Sequence, residues 1–208
     1  MVQNIQIFLD NISKQFANRI LFANINAVVM PGQCLAVTGS NGSGKSTLLK
    51  IVAGLLRPNA GKVRFLDEKG TKLNKAQQMA CIGMVSPDMA MYAAMTGVEN
   101  ILFWTKMRGM SYTKAEAEAL CREAGLGGAE CEQVQTYSTG MRQRLKLAVG
   151  KSLQPRVWLL DEPSANLDVS GKAYVQELIT EATKQKAVIL LATNEPEEAR
   201  YASNKIEL

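Results

Sequence analysis

The chain has 208 residues, of which 47% are hydrophobic and 21% are charged, and its formal net charge is +5. This length supports one well-packed core with a smaller attached lobe and excludes two large independent domains. The composition excludes a disordered chain, and the absence of histidine excludes every mechanism that needs a histidine base or metal ligand.

Short β segments are predicted in the N-terminal part of the chain. Apolar and β-branched residues indicate strands at 5–8, 25–29 and Cys34–Thr38, with a turn at 31–33 leading into the third strand. Apolar residues at helical spacing after residue 47 predict an amphipathic helix.

Between this strand and this helix, residues 39–47 read GSNGSGKST, the pattern of a phosphate-binding loop. Glycine lets backbone N–H groups approach a phosphate, and the N-terminus of the following helix adds positive potential. Lys45, also a catalytic candidate, is predicted to reach the β- and γ-phosphates, and Ser46 to ligate Mg²⁺. The alternative is a Gly/Ser-rich linker, which the flanking strand and helix disfavour. The predicted nucleotide-binding residues are Gly39, Ser40, Asn41, Gly42, Ser43, Gly44, Lys45, Ser46 and Thr47.

The middle of the chain is predicted to form an inserted helical lobe over residues 88–153. Two β segments, at 62–66 and 81–85, precede it, and within it β-branched runs disappear while Met and Ala become frequent.

Two helices of this lobe carry recognisable start signals. Thr113 and Glu116 form a capping-box pattern ahead of a helix over 117–124, which Gly125 is predicted to end. A further helix is predicted to run from Ser138 to the end of the lobe.

The C-terminal part alternates strands and helices. Strands are predicted at 157–160, 187–193 and 205–208, and helices at 169–184 and 197–202. The chain as a whole is therefore predicted to be an α/β protein with a phosphate-loop core. Its mixed, mainly parallel sheet is flanked by helices, with antiparallel N-terminal strands and the helical lobe added. We expect one domain over 1–208, with a core lobe of 1–87 and 154–208.

Two adjacent acids, Asp161 and Glu162, directly follow the strand at 157–160, at the edge where open α/β sheets bind ligands. Their side chains point in opposite directions along an extended backbone, so they can have separate roles. Asp161 is predicted to support Mg²⁺ through water, and Glu162 to orient and deprotonate an attacking water. The alternative is that both are solvated acids at the end of a strand.

Five features follow one another along the chain: Phe16, GSNGSGKST at 39–47, YSTGM at 137–141, VWLLDEP at 157–163 and SANLD at 164–168. In this order they resemble the nucleotide-binding subunit of an ATP-binding cassette (ABC) transporter, from Ile7 to the end of the chain. Phe16 matches the aromatic that stacks on adenine in this family, and YSTGM stands for the family's LSGGQ signature. The short length is similar to that of the ATPases of haem export in cytochrome c maturation. The resemblance implies ATP and Mg²⁺ as ligands, ATP hydrolysis as the reaction and Asp168 as part of the nucleotide site.

The signature peptide has a physical interpretation of its own. Ser138 begins a helix, so its hydroxyl, the Gly140 amide and the helix N-terminus form a second anion site; taken alone, the pattern fits an ordinary Ser-capped helix. In the family, this site closes over the γ-phosphate held by a partner, so two subunits enclose two ATP molecules. The resemblance thereby implies a second ABC subunit, identical or different. It assigns to nucleotide binding the residues Ser138, Thr139, Gly140 and Met141.

The chain departs from the family at two positions. Pro87 replaces a glutamine that contacts Mg²⁺ and the attacking water, and either Asp88 beside it or an additional water takes that place. Asn194 replaces a histidine that touches the γ-phosphate. Because an amide carries neither a proton nor a positive charge, Asn194 is a catalytic candidate that predicts slow hydrolysis.

The sequence lacks the apolar run of about 20 residues that a membrane span needs, and it has no signal-peptide pattern. We therefore expect a cytoplasmic protein, peripheral on the inner face of the cell membrane, that powers integral membrane transporter subunits through ATP-driven dimerisation. No nucleic-acid partner is expected. The alternatives are a soluble ABC ATPase acting on ribosomes, DNA or cluster assembly, and a nucleotide-gated regulatory subunit with very low turnover.

Overall fold

The computed structural model describes residues 4–208, which form two compact units. The first contains residues 4–84, 156–162 and 179–208, and the second contains residues 85–155 and 163–178. Residues 163–178, which the sequence assigned to the core lobe, group with the second unit. One local contact of this segment lies within the second unit, because Arg144, on the helix that follows Ser138, donates a hydrogen bond to Asp168.

The strands are β1 (Gln6–Phe16), β2 (Arg19–Val29), β3 (Cys34–Thr38), β4 (Ala60–Leu66), β5 (Ile82–Val85), β6 (Val157–Asp161), β7 (Val188–Ala192) and β8 (Asn204–Glu207). They form two sheets. The antiparallel sheet has the order β2-β1-β4, and the other has the order β5-β6-β7-β3-β8, with parallel pairs between β6 and β7, β7 and β3, and β3 and β8. This architecture confirms the predicted fold class.

The helices include all of those that the sequence predicted, together with two others, at Lys75–Cys81 and Gly97–Met107. Among residues 4–208, no helix is both long enough and apolar enough to cross a membrane. The helices are α1 (Lys45–Val52), α2 (Lys75–Cys81), α3 (Gly97–Met107), α4 (Lys114–Glu123), α5 (Thr139–Ser152), α6 (Val169–Lys184) and α7 (Pro196–Ala199).

The core of the first unit surrounds the central strands of the parallel sheet. Every residue of β6 and β7 is buried, as is all of β3 except Thr38, which explains their continuous apolar sequences. Leu48, Leu49, Ile51 and Val52 of α1 are buried in the same core. The carboxyl ends of β3, β6 and β7 therefore lie side by side, and the segments that follow these strands carry the predicted catalytic residues.

The N-terminal strands are longer than predicted because their pairing is irregular. Register shifts interrupt the pairing of β1 with β2 after Leu9 and after Ile12, and Asn11 and Asn24 have left-handed φ angles of 51° and 56°. Such bulges break the alternation of apolar and polar residues on which the prediction depended. Helix α2 was missed because none of its residues is buried, so it has no apolar periodicity.

In the second unit, the two predicted helix starts are confirmed. Thr113 N donates to Glu116 Oε2 over 2.7 Å and Glu116 N donates to Thr113 Oγ1 over 3.3 Å, which completes the capping box of α4. Gly125, with a φ of 77°, follows the end of this helix. Ser138 is the N-cap of α5.

Tyr137, the first residue of the signature peptide, is fixed to the start of α3. Its buried hydroxyl donates to the Ala129 carbonyl over 2.7 Å. A Cβ atom on residue 97 would lie 2.6 Å from this hydroxyl oxygen. Glycine at position 97 is therefore required by the tyrosine hydroxyl that it faces.

Replacing Gly97 with Ala is expected to lower the free energy of unfolding by about 1–3 kcal/mol, because the new methyl group overlaps the Tyr137 hydroxyl. The better helix propensity of Ala offsets at most about 1 kcal/mol of this. In the Y137F background the methyl group has room, so G97A is expected to lower the free energy of unfolding by less than it does in the wild type. Urea unfolding of the four proteins measures the difference. G127A is the control, since a methyl group there meets only an Arg122 side-chain carbon at 3.6 Å. Equal costs of G97A in both backgrounds would show that the hydroxyl is not the obstacle.

Candidate nucleotide-binding site

The predicted phosphate loop joins β3 to α1, and its glycines are required by close approaches. Gly39 has a φ of 144° and a Cβ there would lie 2.4 Å from the Leu208 carbonyl oxygen. Gly44 has a φ of 111°, precedes the first residue of α1, and a Cβ there would lie 2.7 Å from the Leu21 side chain. Ser43 Oγ is buried and has no hydrogen-bond partner among residues 4–208. A phosphate oxygen bound in the loop would satisfy this hydroxyl.

Lys45 is the first residue of α1 and only 6% exposed. Its ammonium donates to the carbonyl oxygens of Gly39 at 3.0 Å and Ser40 at 3.3 Å. It also donates to Asn194 Oδ1 at 2.6 Å and lies 3.7 Å from Glu162 Oε1. The structure thus brings together the three predicted catalytic residues, which come from α1 and from the segments after β6 and β7.

The two predicted metal ligands of the first unit lie next to each other. Ser46 Oγ donates to Asp161 Oδ1 over 3.0 Å, and Asp161 is 2% exposed at the end of β6. A hydroxyl and a carboxylate are hard oxygen donors of the kind that Mg²⁺ prefers. These residues therefore fit a magnesium ion bound beside the phosphate loop.

Glu162 follows Asp161 in a left-handed conformation, with a φ of 48° that is unusual for a residue with a side chain. Burial raises the pKa of its carboxyl group above the usual value. The Asn194 N–H and the charge of Lys45 oppose this shift, whereas the negative charge of Glu198 reinforces it. A carboxylate with a raised pKa is a stronger base, as proton abstraction from water requires.

Asn194 contacts three other residues of the site. Its side-chain oxygen accepts from Lys45, its side-chain nitrogen donates to Asn41 Oδ1, and its backbone N–H donates to Glu162 Oε2 over 3.4 Å. Asn194 therefore joins the phosphate loop to the predicted base through hydrogen bonds alone.

Phe16 is the last residue of β1 and is 51% exposed. The Lys14 ammonium lies 4.9 Å from the centre of its ring. An exposed aromatic face of this kind is available for stacking on a base.

In the second unit, the signature peptide begins α5 as predicted. Ser138 Oγ accepts the Met141 N–H over 3.2 Å, and Ser138 and Thr139 are exposed. The hydroxyl hydrogen of Ser138 and the first N–H groups of α5 therefore face solvent, while its use as an anion site stays a prediction.

Pro87 and Asp88 occupy the two central positions of a turn, closed by a 3.1 Å hydrogen bond from Met89 N to Ser86 O. The Lys146 ammonium donates to the Pro87 carbonyl over 2.7 Å. Burial lowers the pKa of Lys146, and the nearby charge of Asp88 opposes this effect. Asp88 lies in the second unit, and its role as a metal ligand stays a prediction.

Asp168 was assigned to the nucleotide, and the structure gives its carboxylate partners within its own unit. Its Oδ1 accepts from Gly171 N at 2.9 Å and from Arg144 Nη2 at 2.5 Å. The Gly171 N–H, followed by Ser170 and Arg144, holds the pKa of this carboxyl group below its usual range. Arg144 is not among the predicted site residues, although it stands in the RQR run directly after the signature peptide.

The sequence profile described as ABC transporter matches residues 22–165. The cytochrome c biogenesis ATP-binding export protein CcmA of Brucella abortus is 34% identical over 187 residues, covering 90% of this chain and 84% of that protein. The ergothioneine transport ATP-binding protein EgtV of Helicobacter pylori is 31% identical over 203 residues, covering 96% and 94%. The Fe(3+) ions import ATP-binding protein FbpC of Escherichia coli is 34% identical over 211 residues, covering 99% of this chain and 60% of that protein.

Solved structures have the same fold. The ATP-binding subunit of an ABC transporter gives a TM-score of 0.84 at 25% identity, over 97% of this chain and 85% of that one. The dimeric ATP-binding cassette MJ0796, in a post-hydrolysis state with ADP and Pi, gives 0.83 at 22% identity, over 97% and 94%. The profile match extends over more than half of the sequence and two relatives above 30% identity are covered over most of their length. The chain therefore belongs to the ABC transporter family, as one of its ATP-binding, ATP-hydrolysing subunits.

Proposed function

We propose that ATP bound at the phosphate loop drives this chain to pair with a second ATP-binding subunit, and that the pairing powers membrane-integral transporter subunits. The observation that carries the proposal is the convergence of Lys45, Glu162 and Asn194 beside the loop. CcmA is named as an export protein and FbpC as an import protein. The proposed function is the ATP-driven step that export and import have in common.

In this proposal the first unit binds the nucleotide. The loop amides and the N-terminus of α1 bind the phosphates, Lys45 neutralises their charge and Phe16 stacks on adenine. Ser46 and Asp161 hold Mg²⁺, which neutralises charge on the phosphate oxygens. The second unit uses residues 138–141 to contact the γ-phosphate held by the partner subunit, and the assembly works at the inner face of the cell membrane without nucleic acid.

Hydrolysis depends on Glu162 in this proposal. Its carboxylate accepts a proton from the attacking water, whose oxygen then bonds to the γ-phosphorus as the bond to the β-phosphate oxygen breaks. The Asn194 N–H and the Lys45 ammonium hold this carboxylate in place. Asn194 carries no charge to the γ-phosphate, so turnover is slow.

The Glu162→Gln variant is expected to lose at least about 100-fold in the rate of ATP hydrolysis, because an amide of the same shape cannot accept the proton. ATP binding is expected to persist, and the variant should form an ATP-dependent dimer. Single-turnover hydrolysis, nucleotide titration and size-exclusion chromatography measure these effects. E197Q, at an exposed position of α7, is the control. Hydrolysis by E162Q at the wild-type rate would show that Glu162 is not the base.

The pH dependence of hydrolysis should report Glu162 in the wild type. Because its pKa is raised above the usual 4.5, the base becomes protonated and the rate falls as the pH drops through that raised value.

N194H adds a group that titrates at or below about pH 6.5, since the Lys45 ammonium disfavours an imidazolium. The ratio of the N194H rate to the wild-type rate should rise between pH 8 and pH 6, because the imidazolium adds positive charge. N194A, which adds no titrating group, is the control, and the ratio of its rate to the wild-type rate should stay constant over this range. An equally constant ratio for N194H would contradict the role of positive charge at position 194.

Asp88 is proposed as the oxygen ligand that replaces the family's glutamine. D88N is then expected to raise the Mg²⁺ concentration needed for half-maximal hydrolysis several-fold, because a charged ligand is lost. Hydrolysis measured across a Mg²⁺ series tests this, with E197Q as the control. The same Mg²⁺ requirement in D88N and wild type would assign the position to water.

A further inference from the structure

Arg144 connects three segments of the second unit. It lies on α5 with its side chain 11% exposed, and its Nη1 donates to the Ala124 carbonyl over 2.9 Å. Its Nη2 donates to Asp168 Oδ1 over 2.5 Å and to Ser170 Oγ over 2.7 Å. The guanidinium therefore joins the helix that begins at the signature peptide to the end of α4 and to the start of α6.

Two glycines, Gly125 and Gly171, lie against the guanidinium of Arg144. A Cβ on Gly125 would lie 2.4 Å from Nη1, and a Cβ on Gly171 would lie 3.1 Å from Nη2. Side chains at these two positions would displace the guanidinium from its acceptors. Gly125 also has a φ of 77°, which favours glycine independently.

A second contact lies one helical turn before Arg144. A Cβ on Gly140 would lie 2.9 Å from the Asn166 carbonyl oxygen, so the signature peptide packs directly against the SANLD peptide. Asn166 has a left-handed φ of 63°, and the Leu167 N–H donates to the Ser164 carbonyl over 3.1 Å. The peptides 138–141 and 164–168 thus meet at two points, at Gly140 and through Arg144.

We propose that Arg144 is a positioning residue that holds peptides 138–141 and 164–168 as one rigid surface. Asp168 then acts by orienting Arg144 and capping α6, and not by binding the nucleotide of its own chain. What this surface does rests on the proposed function, in which residues 138–141 contact the γ-phosphate held by the second subunit. The fixing of the two peptides is a property of the single chain and is tested separately.

The neighbouring arginine provides a matched control. Arg142 belongs to the same helix but is exposed, and its guanidinium makes one long contact of 3.4 Å, to the Gln135 carbonyl. Lysine keeps the charge but has no planar fork to reach acceptors on two segments, so R144K should restore little. R142Q should change neither peptide.

Hydrogen exchange followed by mass spectrometry tests the fixing of the peptides. R144Q is expected to speed exchange of the amides that are hydrogen-bonded within these two peptides, those of Met141 and Leu167, by about tenfold or more, the effect of losing hydrogen bonds to a charged group. Exchange in the phosphate loop at 39–47 should stay at the wild-type value. Should R144Q fail to fold, D168N at a 71% exposed side chain removes the same ion pair and is expected to speed exchange in the same two peptides. Unchanged exchange in both peptides would overturn the proposal.

Mixing two inactive variants tests the function of the surface. R144Q keeps its phosphate loop and K45A keeps its surface, so a dimer with one copy of each contains one intact composite site. Mixing should restore hydrolysis well above that of either variant alone. A purely structural defect of R144Q would not permit this recovery. If hydrolysis does not recover, the role of Arg144 in the composite site is overturned. E162Q with ATP is run alongside. If E162Q stays monomeric while exchange responds to R144Q, the proposed pairing fails and the fixing of the peptides is supported.

Discussion

The buried ammonium of Lys45 is the group on which the arrangement of the site depends. Burying a charge is costly unless oxygen atoms and an opposite charge surround it. The carbonyls of Gly39 and Ser40, the Asn194 side chain and the Glu162 carboxylate provide this environment. They follow β3, β6 and β7, and the strand order β6-β7-β3 brings them together around the ammonium. A one-residue slip of β6 or β7 would turn its terminal side chain to the opposite face of the sheet.

Burial of strands and capping of helices explain which parts of the fold were predictable from the sequence. Buried parallel strands have continuous apolar sequences, and β6 and β7 were placed correctly for that reason. Helices with a strong cap, such as α5 after Ser138, were also placed correctly. The antiparallel strands were underestimated because bulges near Asn11 and Asn24 interrupt their alternation. Helix α2 lacks apolar periodicity, but the capping box formed by Asn74 and Gln77 is a local signal of its start.

The contacts in the site also differ in whether the sequence predicts them. Ser46 and Asp161 are 115 positions apart. Asp161 ends β6, and Ser46 lies at the start of α1, which the phosphate loop joins to β3, so their contact follows from local motifs and the strand order. The partners of Asp168 were not predictable in this way. They depend on where α4, α5 and α6 meet, and no short motif encodes how three helices pack. Resemblance to a family locates such a residue in the sequence but does not give its contacts.

The replacement of a histidine by Asn194 has a consequence for the charge balance beside Lys45. An amide presents an acceptor and a donor at every pH, and Asn194 uses the acceptor for Lys45 and the donor for Asn41. An imidazole could do the same while neutral, but on protonation it would have no acceptor and would repel the ammonium. With asparagine, the oxygen that accepts from Lys45 is present at every pH. The carboxyl group of Glu162, with its raised pKa, then carries the pH sensitivity of this hydrogen-bond network.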